Sequence, residues 1–331
     1  MSLADAALGL LWLGVVAYVL FGGADFGAGI WDLLSGTGEI GRQRRELIEQ
    51  VLGPIWETNH VWLIFVIVIG WTAFPRAFAS AAATLVIPLT LSAVGIIFRG
   101  SAFAFRKSLP EGRSQRVFGV VFAASSLLTP FFLGTVAGAL ASGRIPYGGY
   151  GDYLTSWANP TSLFAGLLAV LICAYLAATY LTGDARRTGA VAIAEDFRRR
   201  ALVVGLATGV LAIGGLAVIA GDASRLFIGL TGVALPVAVA SVMAGVVSLG
   251  LLLTRRYTAV RVGAAAAVAT LLLAWAAAQY PYVLRPGVTT EQAAASDAVL
   301  AAVLLSIAAG AVLLVPSLVW LYLLFQREPT R

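Results

Sequence analysis

Nine apolar runs of about 20 residues, separated by charged or Pro/Gly-rich breaks, decide what this chain can become. They cover roughly residues 8–31, 56–74, 78–100, 117–142, 161–183, 201–221, 232–254, 260–280 and 296–325. A helix of that length crosses the hydrocarbon layer of a bilayer. With 60% hydrophobic and 11% charged residues, a soluble chain of 331 residues would have nowhere to hide its apolar surface, so its solvent is largely lipid. The expected fold class is an all-α integral membrane protein with nine transmembrane helices, forming a single transmembrane domain over residues 1–331. The longest loop, about 25 residues, leaves no room for a soluble domain. The opening "MSLADAALGLLWLG" has neither a basic n-region nor a small-residue cleavage site and reads as a retained first span. Two segments read as surface helices: "GRQRRELIEQVL" (41–52), with Leu47, Ile48, Val51 and Leu52 on one stripe, and "SRLFIGL" (224–230).

Charge asymmetry tests the span count independently. With nine spans, the loops after the first, third, fifth and seventh, together with the C-terminus, carry 18 of the 22 Lys and Arg residues. The other side holds Arg76, Arg144, Arg225 and Arg285. The positive-inside rule then places the N-terminus outside and the C-terminus in the cytoplasm. Tyr147, Tyr150, Tyr153 and Trp157 fall on the outer side, as an interfacial aromatic belt would. The net charge of +6 is therefore accounted for by cytoplasmic loops, and nucleic acid is not an expected partner. One cysteine, Cys173, excludes an internal disulfide framework and any cysteine cluster. Alanine- and glycine-rich runs such as "VGAAAAVATLLLAWAAA" (262–278) suit close helix packing.

Ionisable groups within spans cost about 2.5–3.5 kcal/mol each to insert, which makes them functional candidates. Asp25 lies in the first span, and Asp32 follows seven residues later on the same helical face. Glu57, Asn59 and His60 open the second span beside Trp56, and Arg99 closes the third. Given the topology, Asp25, Glu57, His60 and Arg99 all lie in the inner part of the membrane. Structural readings stand beside the functional ones. Asp25 and Arg99 could neutralise one another as a pair, Glu57 suits a helix start, and Trp56 and Trp62 suit interface anchors. Gly22, Gly23, Gly27 and Gly29 permit close helix contact, while Pro75, Pro88 and Pro130 mark an end or kinks. His60 is the only histidine, and Met1 and Met243 are the only thioethers. A bis-histidine haem or a metal site within this chain is therefore not expected. Carboxylate, imidazole and amide together at the mouth of a span suit proton handling, because Glu and His titrate and Asn holds water.

The segments "GGADFGAGIWDLL", "RQRRELIEQVLGPIWETNHVWLI", "AFPRAFA" and "IIFRGSAFAFR" occur in that order. Together they resemble subunit II of cytochrome bd-type quinol oxidases, the terminal oxidases of bacterial respiration. The resemblance is dense over residues 20–106 and is carried further by "GTVAGALASG" (134–143) and "WANPTSLFAGLLA" (157–169). It implies two four-helix bundles plus a peripheral helix, with the first bundle over about 8–142 and the remaining helices over about 161–325. It also implies a multi-pass protein of the bacterial plasma membrane, partnered by a haem-bearing subunit I. Haems b and d, or b only, and quinol oxidation would belong to that partner. This chain would bind no cofactor or metal itself, and membrane lipid and quinone would surround it. A small single-helix subunit is a further partner that the resemblance leaves open.

By the same resemblance, Glu57 is the acidic residue of the family's W-[DE] element, assigned to a proton route from the cytoplasm. Asp25 matches the second aspartate of a D-G-F-D motif whose first position is Gly22 here. Arg99 matches the arginine of F-R-P, with Gly100 in place of the proline, and Ala104 stands where an aspartate often does. His60 occupies a position that is commonly Gln. The expected proton-path residues are thus Glu57, Asp25, His60 and Asn59, with Arg99, Asp32 and Trp56 tuning charge or supporting structure. Two alternatives remain. One is a purely structural partner subunit. The other is a secondary transporter using Asp25, Glu57 and Arg99, against which stands the absence of an inverted repeat.

Overall fold

The structure is a computed structural model that describes residues 2–52, 56–108, 113–284 and 287–327. Side chains are described except at 51–52, 56–58, 107–108, 113–116, 315, 318–319 and 321–327. Thirteen helices follow in chain order: α1 (Leu3–Leu33), α2 (Gly38–Leu52), α3 (Trp56–Ala73), α4 (Pro75–Thr84), α5 (Val86–Ser108), α6 (Arg113–Ser142), α7 (Pro160–Arg187), α8 (Val191–Asp222), α9 (Ser224–Thr231), α10 (Leu235–Leu253), α11 (Tyr257–Gln279), α12 (Thr290–Ala293) and α13 (Asp297–Arg327). Between α11 and α12 lies a two-stranded antiparallel hairpin, β1 (Tyr282–Leu284) and β2 (Val288–Thr289).

Among the described residues, eight helices are long and apolar enough to cross a membrane: α1, α5, α6, α7, α8, α10, α11 and α13. A ninth crossing results only if α3 and α4, bent by 120° at their junction, count as one span. The chain is an all-α, multi-pass membrane protein. Both expected surface helices are present, as α2 and α9. The expected third span, 78–100, needs correction. Pro75 starts a separate helix, α4, which breaks at Leu85, and α5 continues to Ser108. Hydropathy alone does not mark this break, beside which α4 buries two hydroxyls. Ser80 and Thr84 accept hydrogen bonds from the amides of Gly148 (2.9 Å) and Gly151 (3.0 Å) in the loop after α6.

Helix α1 packs against α3, α6 and α7, and α5 lies against α6. On the other side α7 packs against α8 and α11, and α10 pairs with α11 and α8. The last helix, α13, rests on α1 and α3. The start of α1 is fixed by a capping box between Ser2 and Asp5, which satisfies two otherwise orphaned amides. At Gly27, α1 and α7 come so close that a Cβ would meet the carbonyl of Cys173. One turn on, the Trp31 indole donates to the carbonyl of Ala174 across the same contact, at 2.8 Å. This junction of α1, α6 and α7 is the heart of the largest apolar core, where Phe26, Trp31, Phe122, Leu176, Leu181 and Phe197 are buried.

Candidate functional site

Two ion pairs tie α1 to α5. Asp25, 4% exposed, receives the Arg99 guanidinium, 2% exposed, in a two-pronged bond: Nη1 to Oδ2 at 2.9 Å and Nη2 to Oδ1 at 2.8 Å. Arg99 Nη2 also donates to the Asp25 carbonyl at 3.1 Å, and Nε donates to Ser126 Oγ on α6 at 3.0 Å. The rings of Phe26 and Phe122 lie 5.0 and 4.9 Å from the guanidinium carbon. Arg99 is therefore held by hydrogen bonds in its plane and by aromatic faces, which suits a planar, weakly hydrated cation far better than an ammonium.

Seven residues on, the arrangement repeats. Arg106 Nη1 donates to Asp32 Oδ2 at 2.7 Å, and its Nη2 reaches Glu49 on α2 at 2.8 Å. Both α1–α5 pairs share one register, so the two helices run in the same direction. A chain that crosses the membrane once between them, through α3 and α4 taken as one bent span, produces that arrangement.

The position of Ser126 depends on a glycine. A Cβ on Gly29 of α1 would collide with Ser126 Oγ, the atom that accepts from Arg99. Gly29 thus lets α6 approach closely enough to complete the arginine's bonding. The same hydroxyl donates back to the carbonyl of Phe122 at 2.7 Å, which fixes its rotamer.

The opening turn of α3 completes the site. Asn59 is 3% exposed and His60 is half-buried, and both Asn59 Nδ2 and His60 Nδ1 are buried without a partner among the described residues. His60 lies within electrostatic range of both Asp25 and Arg99. Tyr18 Oη on α1 and Thr129 Oγ1 on α6 are likewise buried and unpaired among the described residues, and Tyr18 is also within range of Asp25 and Arg99. Glu57 belongs to the first turn of α3; its side chain, with those of Trp56 and Thr58, lies outside the described residues.

The structure thus brings together Asp25, Arg99 and His60, buries Asn59 next to His60 on α3, and places Asp32 in a second pair. Sequence reasoning missed Arg106, Ser126, Tyr18 and Thr129. Arg106 had a signal: it follows Arg99 by seven residues, as Asp32 follows Asp25. The three hydroxyls had none, because a Ser, Thr or Tyr in a span costs little and is common at helix contacts.

His60 is the only histidine, and among the described residues no group of three His, Cys, Asp or Glu side chains is placed to hold a metal ion. What the geometry offers is a buried, fixed charge pair beside titratable and hydrogen-bonding groups.

Comparison with known proteins follows the same outline. The chain is 30% identical over 176 residues to the cytochrome bd ubiquinol oxidase subunit 2 of Bacillus subtilis, covering 51% of either chain. It is 27% identical over 187 residues to the cytochrome bd-I ubiquinol oxidase subunit 2 of Escherichia coli K12, covering 53% of this chain and 48% of that one. The matched stretch thus spans about half the length of these relatives. Its fold resembles a chain in the structure of the bd oxidase from Geobacillus thermodenitrificans, with a TM-score of 0.75 and 24% identity, over 99% of this chain and 100% of that one. Residues 3–325 match the family described as cytochrome bd terminal oxidase subunit II. With that match running through both the charge ladder and the helices that enclose it, the chain belongs to the cytochrome bd terminal oxidase subunit II family.

Proposed function

We propose that this chain is the haem-free subunit II of a bd-type quinol oxidase in the bacterial plasma membrane. In this reading it scaffolds a haem-bearing subunit I and supplies part of the route by which cytoplasmic protons reach the site where oxygen is reduced to water. The family match over residues 3–325 is the observation that carries the reading. A lone histidine supports a chain that leaves the haems, b and d or b only, and quinol oxidation to its partner. Nine spans in two four-helix bundles plus the peripheral α13, with the N-terminus outside, fit the 18-to-4 charge count and the parallel α1 and α5.

Within that frame Glu57 takes a proton from the cytoplasmic side and passes it on. Asn59 and His60 order water beside it, since buried polar atoms without protein partners bond to ordered water. Asp25 and Arg99 set the field along this stretch. A net-neutral pair closed by four hydrogen bonds holds its charges in place, so that the potential felt by His60 is constant through turnover. Asp32, bridged by Arg106 to Glu49, anchors α2 over the mouth of the route, with Trp56 at the start of α3.

The test is to purify the tagged chain from its own membranes with and without its genomic neighbour, and to record reduced-minus-oxidised spectra and quinol-driven oxygen uptake. Haem signal and uptake that appear only with the co-purified partner are the expected result. A stable protein that never recruits a haem subunit contradicts the assignment.

A further inference from the structure

At the end of the molecule away from the loop after α6, the last turn of α7 meets the turn between α10 and α11 around a cavity of about 500 Å³. Its lining includes five arginines: Arg186 and Arg187 from α7, Arg255 and Arg256 from the turn, and Arg261 from α11. The positive-inside rule explains why arginines lie on this side, but not why five converge on one concavity. Two carboxylates answer them. Asp184 pairs with Arg187 and Arg261, and Glu195 lies 3.7 Å from Arg255. An excess of three positive charges is left, and among the described residues neither Arg186 nor Arg256 has an ion-pair partner.

Backbone geometry favours an anion at the same place. Arg256 precedes the first turn of α11, where no side chain caps the helix, and Tyr257, Thr258 and Ala259 of that turn line the cavity. Uncapped amides and the positive end of a helix dipole add to the guanidiniums. Arg255 has a φ of 59°, the one non-glycine residue in the left-handed region among those described. That position follows a helix end where glycine is usual, and an arginine there bears a steric cost. Beside the cavity, Leu253 (65% exposed) and Val262 (71% exposed) turn apolar surface outward from two membrane-spanning helices.

We infer that this cavity binds the phosphate headgroup of an anionic phospholipid, whose acyl chains lie along the exposed apolar flank of α10 and α11. Guanidinium forks match phosphate oxygens two at a time, and adjoining lipid-facing side chains favour a lipid over a soluble phosphate. The site uses none of the groups assigned to the proton route and does not depend on that assignment.

The experiment is native mass spectrometry of the protein purified in its complex and titrated with phosphatidylglycerol, with phosphatidylcholine, and with inorganic pyrophosphate as competitor. One phosphatidylglycerol should bind in preference to phosphatidylcholine and resist millimolar pyrophosphate. The double variant R186Q/R256Q should weaken that binding roughly 30-fold. A control, R42Q/R45Q, removes equal charge from the surface helix α2, outside the cavity, and should leave it unchanged. Equal loss in both double variants, or no loss in either, overturns the site. Equal binding of the two lipids by the unaltered protein overturns it without any variant, and displacement by pyrophosphate assigns the cavity to a soluble anion instead.

Discussion

The two sets of helices solve the same problem differently. In α7, α8, α10 and α11, charges are confined to the ends. Asp184 meets Arg261 at one end, and Asp222 meets Arg144 (2.7 Å) and the Thr161 amide (3.0 Å) at the other. Between them the chain uses hydroxyls, as in the 2.7 Å bond from Tyr175 Oη to Ser248 Oγ. In α1, α3, α5 and α6, by contrast, Asp25, His60 and Arg99 stand inside the apolar runs. The second set shows that helices of this composition pack without interior charge. Insertion and packing therefore do not require the charges of the first set, and burying them costs several kcal/mol per ion before pairing recovers it. The difference is why we propose that the working part of the chain lies in the first set.

Breaking the Asp25–Arg99 pair should have the largest effect. Arg99→Ala leaves a carboxylate buried without its partner and should cost about 3–5 kcal/mol, seen as loss of folded protein in membranes. Asp25→Asn in the same chain should recover part of it. Full accumulation of Arg99→Ala alone would mean that the pair is not buried in the folded protein. Next comes Gly29→Val, which drives a side chain into Ser126 and should cost about 1–3 kcal/mol by overpacking. In the second set, Tyr175→Phe should cost only about 1 kcal/mol, because a single hydroxyl pair is lost. A thermal shift for Tyr175→Phe as large as that for Arg99→Ala would erase the contrast between the two sets.

The smallest effect is expected in the exposed loop after α6. The amides of Thr155 and Leu154 and the Thr155 hydroxyl hold the Asp152 carboxyl below its usual pKa of 3.8. A depressed folded-state pKa means that this local stability is present above the ordinary carboxylate pKa and is lost as pH falls through the lower folded value. Amide exchange at Thr155, corrected for its intrinsic pH dependence, should show constant protection from pH 7 to 5 and a loss of protection only below about 4. A loss between pH 7 and 5 would contradict the assignment.

Most of the first set was legible because a charge in an apolar run stands out by its cost. Asp25, His60 and Arg99 were all visible for that reason, and the fold class followed from run length alone. Arg106 was hidden by its position at the end of a span, where the positive-inside rule already accounts for an arginine. The α3–α4 bend falls where Pro75 had marked an end, but the break between α4 and α5 was hidden; the turns before it are tied through Ser80 and Thr84 to a loop 60 to 70 residues later. The β1–β2 hairpin was hidden for a similar reason. Its Leu284 is buried in one cluster with Ala7 of α1 and Ile69 of α3, a packing that no local pattern encodes.

The measurement that tests the central claim most directly is quinol-driven oxygen uptake by the assembled complex carrying Glu57→Ala, across pH, with haem content read from the same preparation. The account predicts that the haems are retained while uptake falls at least about tenfold, as expected when a positioned proton-transfer group is removed. Normal uptake at every pH, with full haem content, would contradict it and leave this chain as a structural partner alone.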